Sequence, residues 1–220
     1  MPTLFYLHYW SVVGNCVTQT VLNFLNHGII LPKFNQTHIV LIPKVKNPTK
    51  STQYRPISLS NVVSRTASKV LATKTFVSTH HSENQSTFMC VISDNMLVAF
   101  ETMHHISQKM SGKVGEVALK LNMSKAYDWV EWGCLEKIMQ KMGFDEKWVN
   151  IMMRCVSTVT YSVRINGRSR GCVTPTRGLH QGDPLSLYLF LLCAKGLSAL
   201  LKQSVEQGLL KGVTAYQDTP

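Results

Sequence analysis

The feature that most constrains this chain is a change of hydrophobic period between residues 117 and 143. Leu119 and Leu121 alternate with polar residues, a pattern typical of a β-strand at the edge of a buried sheet. Apolar residues then recur at helical spacing, at positions 135, 138, 139 and 142, before Gly143. A strand that turns sharply into a helix leaves polar residues at its tip, where α/β proteins usually bind ligands and metals. Residues 122–128 are therefore the first candidate for a functional site.

The same kind of pattern predicts most of the other elements. Helices are predicted at 10–27, 61–76, 94–110, 145–156 and 184–207, and strands at 37–42 and 161–165. Asp94, Asp128, Asp145 and Asp183 are each placed to cap the helix that follows. In the second half of the chain, Asn166-Gly167 predicts a tight hairpin turn, because a type I′ turn needs two positive φ angles. The predicted strand at 37–42 is expected to be buried, and Leu97, Phe100 and Met103 are expected to point inward.

Charge is distributed unevenly along the sequence. The net charge is +11, although charged residues make up only 16% of the chain. Residues 1–82 contain eight Lys or Arg and neither Asp nor Glu, whereas residues 83–220 contain fifteen basic and twelve acidic residues. A segment without acids suits a polyanionic partner such as nucleic acid or a nucleotide triphosphate. The alternative is a basic surface that only keeps the protein soluble.

The cysteines and the apolar segments indicate an intracellular protein, nuclear or cytoplasmic, without disulfides. The six cysteines include no C-x-x-C pair and no zinc-like spacing with histidine, so reduced thiols are expected. No Lys or Arg precedes Lys33, so the charged start of a secretory signal is missing. The longest apolar run, 185–201, is interrupted by Lys195 and two serines. We therefore expect a buried helix there and no membrane association.

Four segments, in this order along the chain, resemble the reverse transcriptases of LINE-type non-LTR retrotransposons in the form found in plant elements. Residues 39–44 with 54–59 resemble the fingers motifs, and 82–86 with 94–95 resemble the link that follows them. Residues 121–128 resemble the first catalytic motif, and 176–186 resemble the loop that contacts nucleotide and template. The resemblance implies a helix-rich α/β (α+β) fold with a small antiparallel sheet. Its parts would be the fingers, at 1–115, and a partial palm, at 116–220, of a right-hand polymerase.

The resemblance also implies an activity and roles for single residues. The activity is RNA-directed DNA polymerisation, with an RNA template, a DNA primer and deoxynucleoside triphosphates as partners. Lys44 and Arg55 would hold the triphosphate, for which an ammonium and a guanidinium are suited. Tyr127 would lie under the sugar and exclude a ribose 2′-hydroxyl, and Gln181 and Gly182 would line the nucleotide and template site. The alternatives are two solvated basic residues, a core tyrosine and an ordinary loop before a helix.

The chain departs from this family at its metal ligands. Family members bind two Mg²⁺ ions through three Asp residues, one in the first catalytic motif and two adjacent in a later hairpin. Asn122 occupies the first position, and none of the five Asp residues of the chain is adjacent to another. Mg²⁺ needs charged oxygen ligands, so the sequence predicts no productive Mg²⁺ binding and no polymerase activity. The chain ends at Pro220, where the family would approach its Asp-Asp motif and thumb, which favours a truncated fragment.

Three smaller departures accompany Asn122. A Pro-Gly-Arg segment of the family is missing between Phe88 and Asp94, His180 stands where Arg is usual, and Leu187 stands where Pro is usual. His180 is expected to be a loop histidine and no metal ligand. The sequence thus predicts a reverse transcriptase fragment that is catalytically inactive. The alternatives are a non-catalytic nucleic-acid-binding remnant and a degraded open reading frame without function.

Overall fold

The architecture was obtained as a computed structural model, which describes residues 3–29, 31, 33–78, 92–108, 117–119 and 125–211. The chain divides into two units, residues 1–80 with 125–193, and residues 81–124 with 194–220. The described helices are Thr3–His8 (α1), Trp10–His27 (α2), Val62–Ser78 (α3), Ile92–Gln108 (α4), Trp132–Lys141 (α5), Glu146–Ser157 (α6) and Pro184–Glu206 (α7). The strands are Gln36–Pro43 (β1), Tyr54–Leu59 (β2), Thr160–Ile165 (β3) and Arg168–Val173 (β4).

The first unit contains a four-stranded sheet with the order β2-β1-β3-β4. β1 is antiparallel to β2 and parallel to β3, and β3 is antiparallel to β4. The predicted α/β class is therefore confirmed, with one parallel pair beside the two antiparallel pairs. The hairpin between β3 and β4 is also confirmed, since Asn166 and Gly167 have φ angles of 48° and 77°.

The hydrophobic core of the first unit is built from helices and from loop residues such as Phe34, Val130 and Leu179. Five helices contribute side chains that are almost completely buried, which are Phe24, Leu71, Leu135, Met139, Met152, Leu185 and Leu189. Burying one such side chain stabilises a fold by about 1.5–3 kcal/mol. The predicted helices 10–27, 61–76 and 145–156 supply part of this core, and the apolar stripes of the first two identified the correct faces.

Three predicted helix ends are confirmed by their hydrogen bonds. Gly28 ends α2 with a φ of 65°, and its N–H donates to the carbonyl oxygen of Phe24. The Asp145 carboxylate accepts hydrogen bonds from the backbone N–H groups of Lys147 and Trp148 at the start of α6. At the start of α7 the Asp183 carboxylate accepts from the N–H of Leu185 at 2.7 Å.

Two of the predicted caps are wrong. α4 begins at Ile92, so Asp94 lies within the helix and does not precede it. The residue that precedes α5 is Glu131, because Asp128 lies within a short 3₁₀ turn, Ala126–Trp129, that ends before the helix begins. A capping residue is recognised by its type, but it can act only where the backbone leaves the helical conformation.

Two predictions of burial, one on α4 and one on β1, are also wrong. Leu97, Phe100 and Met103 are exposed on α4, in the second unit, because an apolar stripe does not by itself supply a covering partner. In β1 Thr37 is buried, whereas Leu41 and Ile42 are exposed. The reason is that β3 pairs with β1 only from Gln36 to Ile39.

The strand predicted before the catalytic motif is not formed in the part of it that is described. Residues 117–119 have no regular secondary structure, and Val117 and Leu119 are exposed. None of the strands described elsewhere in the chain pairs with this segment, and a strand needs a neighbour to satisfy its backbone groups. Residues 120–124, and with them Asn122, lie outside the described residues.

α7 has two unlike halves. Its first half buries Leu185, Leu189 and Leu192 in the core, whereas Leu197, Leu200 and Leu201 are exposed. The expected buried helix is therefore present only in the first half. In the described part of the chain α7 alone is long and apolar enough to cross a membrane, a test that a core helix also passes.

Candidate nucleotide and template site

The tip around Tyr127 and the loop before α7 are held together by backbone hydrogen bonds. The N–H of Leu179 donates to the carbonyl oxygen of Tyr127 at 2.9 Å, and that of Gly178 donates to Val130 at 2.8 Å. The indole Nε1–H of Trp132 donates to the carbonyl oxygen of Gly178 at 2.8 Å. The turn around Tyr127 and the start of the 178–183 loop are thus held against each other.

Gly178 is required for this close approach. Its φ is +89°, and a Cβ at this position would lie 3.2 Å from the Cα and the carbonyl oxygen of Asp128. Backbone atoms cannot move aside as a flexible side chain can, so any larger residue would push the two segments apart. The close approach of the Asp128 backbone therefore explains why position 178 is occupied by glycine in this chain.

Tyr127 has a fixed position beside α7. Its ring stacks on that of Phe190 with a centroid distance of 4.9 Å and an interplanar angle of 13°. Partial burial raises the pKa of its hydroxyl. Lys125, which begins the turn, has a φ of 55°, a left-handed conformation that is uncommon for residues other than glycine. The turn directs the tyrosine ring toward the first half of α7.

Gln181 and Gly182 lie against β2. The N–H of Ser58 donates to the carbonyl oxygen of Gln181 at 3.2 Å. Gly182 has a φ of +103°, and a Cβ there would lie 3.4 Å from the carbonyl oxygen of Ser58 and 4.0 Å from Cγ2 of Ile57. The loop therefore bridges the Tyr127 tip and the β1–β2 hairpin.

Lys44 and Arg55 are exposed residues of that hairpin. The N–H of Lys44 donates to Gln53 at 2.8 Å, and its Nζ donates to the carbonyl oxygen of Thr52 at 3.1 Å. Arg55 is paired with Ile42 in the sheet register. Side chains alternate along a strand, so Arg55 shares a face of β2 with Ile57, whose Cγ2 would lie 4.0 Å from a Cβ at Gly182. Sequence-predicted residues from three separate segments are thus brought to adjoining parts of one unit.

A polar cluster of His180, Tyr161, Asp183 and Ser68 holds the loop against the rest of the unit. His180 is only 4% exposed, and its ring lies 5.3 Å from that of Tyr161 in a T-shaped arrangement. The Asp183 carboxylate, besides capping α7, accepts a hydrogen bond from the Ser68 hydroxyl at 3.1 Å. This cluster ties the loop to α3 and to β3.

The charges in this cluster follow from burial. Burial raises the pKa of Tyr161, and the nearby carboxylates of Asp183 and Asp128 raise it further. Burial lowers the pKa of His180, against the opposing effect of Asp183. The neutral ring is therefore favoured, and its buried Nε2 has no hydrogen-bond partner among the residues described. His180 was expected to be a loop histidine; it does belong to the 178–183 loop, and its ring is buried.

Sequence reasoning did not identify Tyr161 or Ser68 as supports of the site. Tyr161 belongs to the alternating pattern of β3, which could have placed it on one face of the sheet. No local signal points from Ser68 to Asp183, because the contact joins residues 115 positions apart.

The described residues do not fit a magnesium site. Mg²⁺ takes oxygen ligands, chiefly carboxylates and water, in a near-octahedral arrangement. The Asp183 carboxylate is engaged by α7 and Ser68, and Glu131 is paired with Arg177 at 3.1 Å. Within the described ranges no three His, Cys, Asp or Glu residues are grouped closely enough to hold a metal ion.

Comparison with known proteins identifies the family. Residues 42–218 match the family model described as reverse transcriptase (RNA-dependent DNA polymerase). The match covers most of the chain, which therefore belongs to the reverse transcriptase family. The resemblance to retrotransposon reverse transcriptases seen in the sequence motifs is confirmed.

Several curated proteins are similar to this chain. The Pol polyprotein of the type-1 retrotransposable element R2 of Popillia japonica is 26% identical over 178 residues, 77% of this chain and 25% of that protein. The polyprotein of the element R2DM of Drosophila melanogaster is 26% identical over 168 residues, 76% of this chain and 16% of its own length. An uncharacterized mitochondrial protein of Arabidopsis thaliana is 54% identical over 56 residues, 26% of this chain and 46% of that protein. The chain thus spans less than half the length of these relatives.

Proposed function

We propose that this chain binds a primed RNA template and a deoxynucleoside triphosphate but does not catalyse polymerisation. The proposed binding of template and nucleotide rests on the loop at 178–183. This loop is hydrogen-bonded on one side to Tyr127 and on the other to Ser58 of β2. These hydrogen bonds join three segments that resemble motifs of a polymerase nucleotide site, which supports the proposal. The family supplies the chemical identity of the ligands.

The distribution of charge also supports the proposed binding of nucleic acid and nucleotide. Lys44 and Arg55 are exposed residues of a segment, 1–82, that contains no acid. Phosphate contacts from Lys and Arg dominate the affinity of proteins for nucleic acid. The guanidinium of Arg55 would bind phosphate oxygens as a fork, and the Lys44 ammonium would act as a mobile point charge.

The proposed lack of polymerase activity rests on the missing carboxylate ligands for Mg²⁺. Asn122 retains the shape of aspartate but offers a neutral carbonyl, and the 220 residues contain no adjacent pair of Asp. Metal ions stabilise a phosphoryl-transfer transition state by several kcal/mol. Each loss of about 1.4 kcal/mol slows a reaction tenfold, so these 220 residues, without any of the three carboxylates, are expected to show no measurable polymerisation.

Binding to an RNA–DNA hybrid at a series of salt concentrations tests the first half. We expect the logarithm of the association constant to fall linearly with the logarithm of salt concentration. Lys44→Ala and Arg55→Ala each remove one phosphate contact, so each lowers the slope by about 1. Lys137→Ala, on α5, is the matched control and leaves the slope unchanged. Equal slopes for all four proteins would contradict the proposed site.

A further inference from the structure

Trp129, Arg177 and Glu131 form a small exposed cluster beside the candidate site, here called the indole platform. The guanidinium carbon of Arg177 lies 4.2 Å from the centre of the Trp129 ring. Nη1 of Arg177 also donates to the Glu131 carboxylate at 3.1 Å. Gly178, the residue after Arg177, is hydrogen-bonded to Val130, the residue after Trp129. The backbone therefore fixes the positions of Arg177 and Trp129 relative to each other.

The exposure of Trp129 is not explained by packing. The residue is 60% exposed, whereas Trp132, three positions later, is packed against the core and donates its Nε1–H to Gly178. Trp132 therefore has a structural role in this turn that Trp129 does not share. Arg177 can cover only one face of the Trp129 ring, so a large part of the indole surface remains open to solvent.

The ion pair determines what kind of ligand the platform suits. Because Glu131 neutralises Arg177, the cluster has little net attraction for a phosphate group. The pair instead holds the guanidinium plane against the indole and fixes both groups in advance of binding. A flat, preformed, nearly neutral aromatic surface suits the π-face of a nucleobase.

We infer that Trp129 stacks an unpaired base of a single-stranded nucleic acid, with Arg177 and Glu131 holding the ring in place. This inference rests on the proposed function, because it places the base next to the loop proposed to contact the template. It adds a contact of different chemistry, since Lys44 and Arg55 would bind phosphates and Trp129 would bind a base. Stacking is tolerant of sequence, so the platform would accept any base.

Tryptophan fluorescence of the full chain tests the inference with two probes of equal length, a single-stranded RNA oligoadenylate and an abasic oligonucleotide. Stacking is expected to quench Trp129 with the oligoadenylate and not with the abasic strand. Trp129→Phe should abolish most of the quenching while retaining affinity, and Trp129→Ala should weaken oligoadenylate binding by about fivefold to a hundredfold. Circular dichroism verifies that both variants remain folded.

Trp10→Phe is the matched control, because Trp10 is also about half exposed but lies on α2. Its quenching by oligoadenylate should equal that of the unmodified chain. Quenching that survives Trp129→Phe, or that the abasic strand produces equally, would overturn the inference. Loss of the Lys44 and Arg55 effects with Trp129 quenching intact would instead contradict the proposed phosphate contacts alone.

Discussion

At the scale of single residues, the site depends on positions where only one residue type satisfies the backbone. Gly178 and Gly182 both have positive φ angles and both approach the backbone of another segment. Sequence motifs predicted a nucleotide- and template-binding role for Gly182, and the structure adds a steric reason for Gly178. The reason was invisible in the sequence, because the atoms that approach Gly178 belong to Asp128, fifty positions earlier.

Gly178→Ala is expected to destabilise the fold. The added Cβ would lie 3.2 Å from backbone atoms of Asp128, and alanine would be strained at a φ of +89°. We expect the free energy of unfolding to fall by about 1–3 kcal/mol. Urea denaturation measures the change. Gly133→Ala is the control, because that glycine lies within α5 with open space around it, and it should raise stability by about 0.5–1 kcal/mol. Equal effects of the two substitutions would contradict the steric argument.

His180 predicts how stability depends on pH. Burial lowers the pKa of His180 in the folded state. Near pH 7.5 the ring is therefore mostly neutral in both the folded and the unfolded state. As the pH falls through about 6.5, the unfolded state takes up the proton first. The free energy of unfolding therefore decreases with falling pH, by at most about 1.4 kcal/mol per pH unit from this group. Urea midpoints between pH 8 and pH 5 measure this decrease.

His180→Phe removes the titrating group and keeps a ring beside Tyr161, so its stability should fall less steeply with decreasing pH. His8→Phe is the control, because His8 is exposed on α1. A pH profile unchanged by His180→Phe would show that the buried ring does not titrate as inferred.

At the scale of elements, local signals were most successful where they act through the backbone. Gly28, Asp145, Asp183 and the Asn166-Gly167 turn were all predicted correctly, because each satisfies or permits a backbone conformation within a few residues. Burial on α4 and β1 was predicted incorrectly, because it depends on neighbours that are distant in sequence. A hydrophobic stripe shows which face of a helix can be buried, and not whether it is.

Asp145→Ala tests the cap of α6. The Asp145 carboxylate accepts from the N–H groups of Lys147 and Trp148, which otherwise lack an intrahelical partner. Its loss is expected to cost about 1 kcal/mol of stability, measured as a shift of the urea midpoint. Asp145→Asn retains a side-chain oxygen and should cost much less. If alanine and asparagine were equally destabilising, the hydrogen bonds would not be the source of the stability.

At the scale of the whole molecule, the sequence predicted the fold class and the family. Tyr127, Gln181 and the strand that carries Arg55 adjoin within one unit. The buried support by His180, Tyr161 and Asp183 could not be predicted, because it combines residues from β3 and the 178–183 loop that share no motif.

Nucleic-acid binding by this chain is expected to occur without catalysis. A chain with the polymerase surface but without charged metal ligands should bind a primed template and leave the primer unextended. Restoring one carboxylate by Asn122→Asp should not change this outcome, because these 220 residues contain no adjacent pair of Asp.

Primer extension on an RNA template with Mg²⁺ and all four deoxynucleoside triphosphates is the most direct test. The prediction is that the unmodified chain and Asn122→Asp both bind the primed template and add no nucleotide to the primer. Extension by the unmodified chain that Asn122→Ala abolishes would contradict the account.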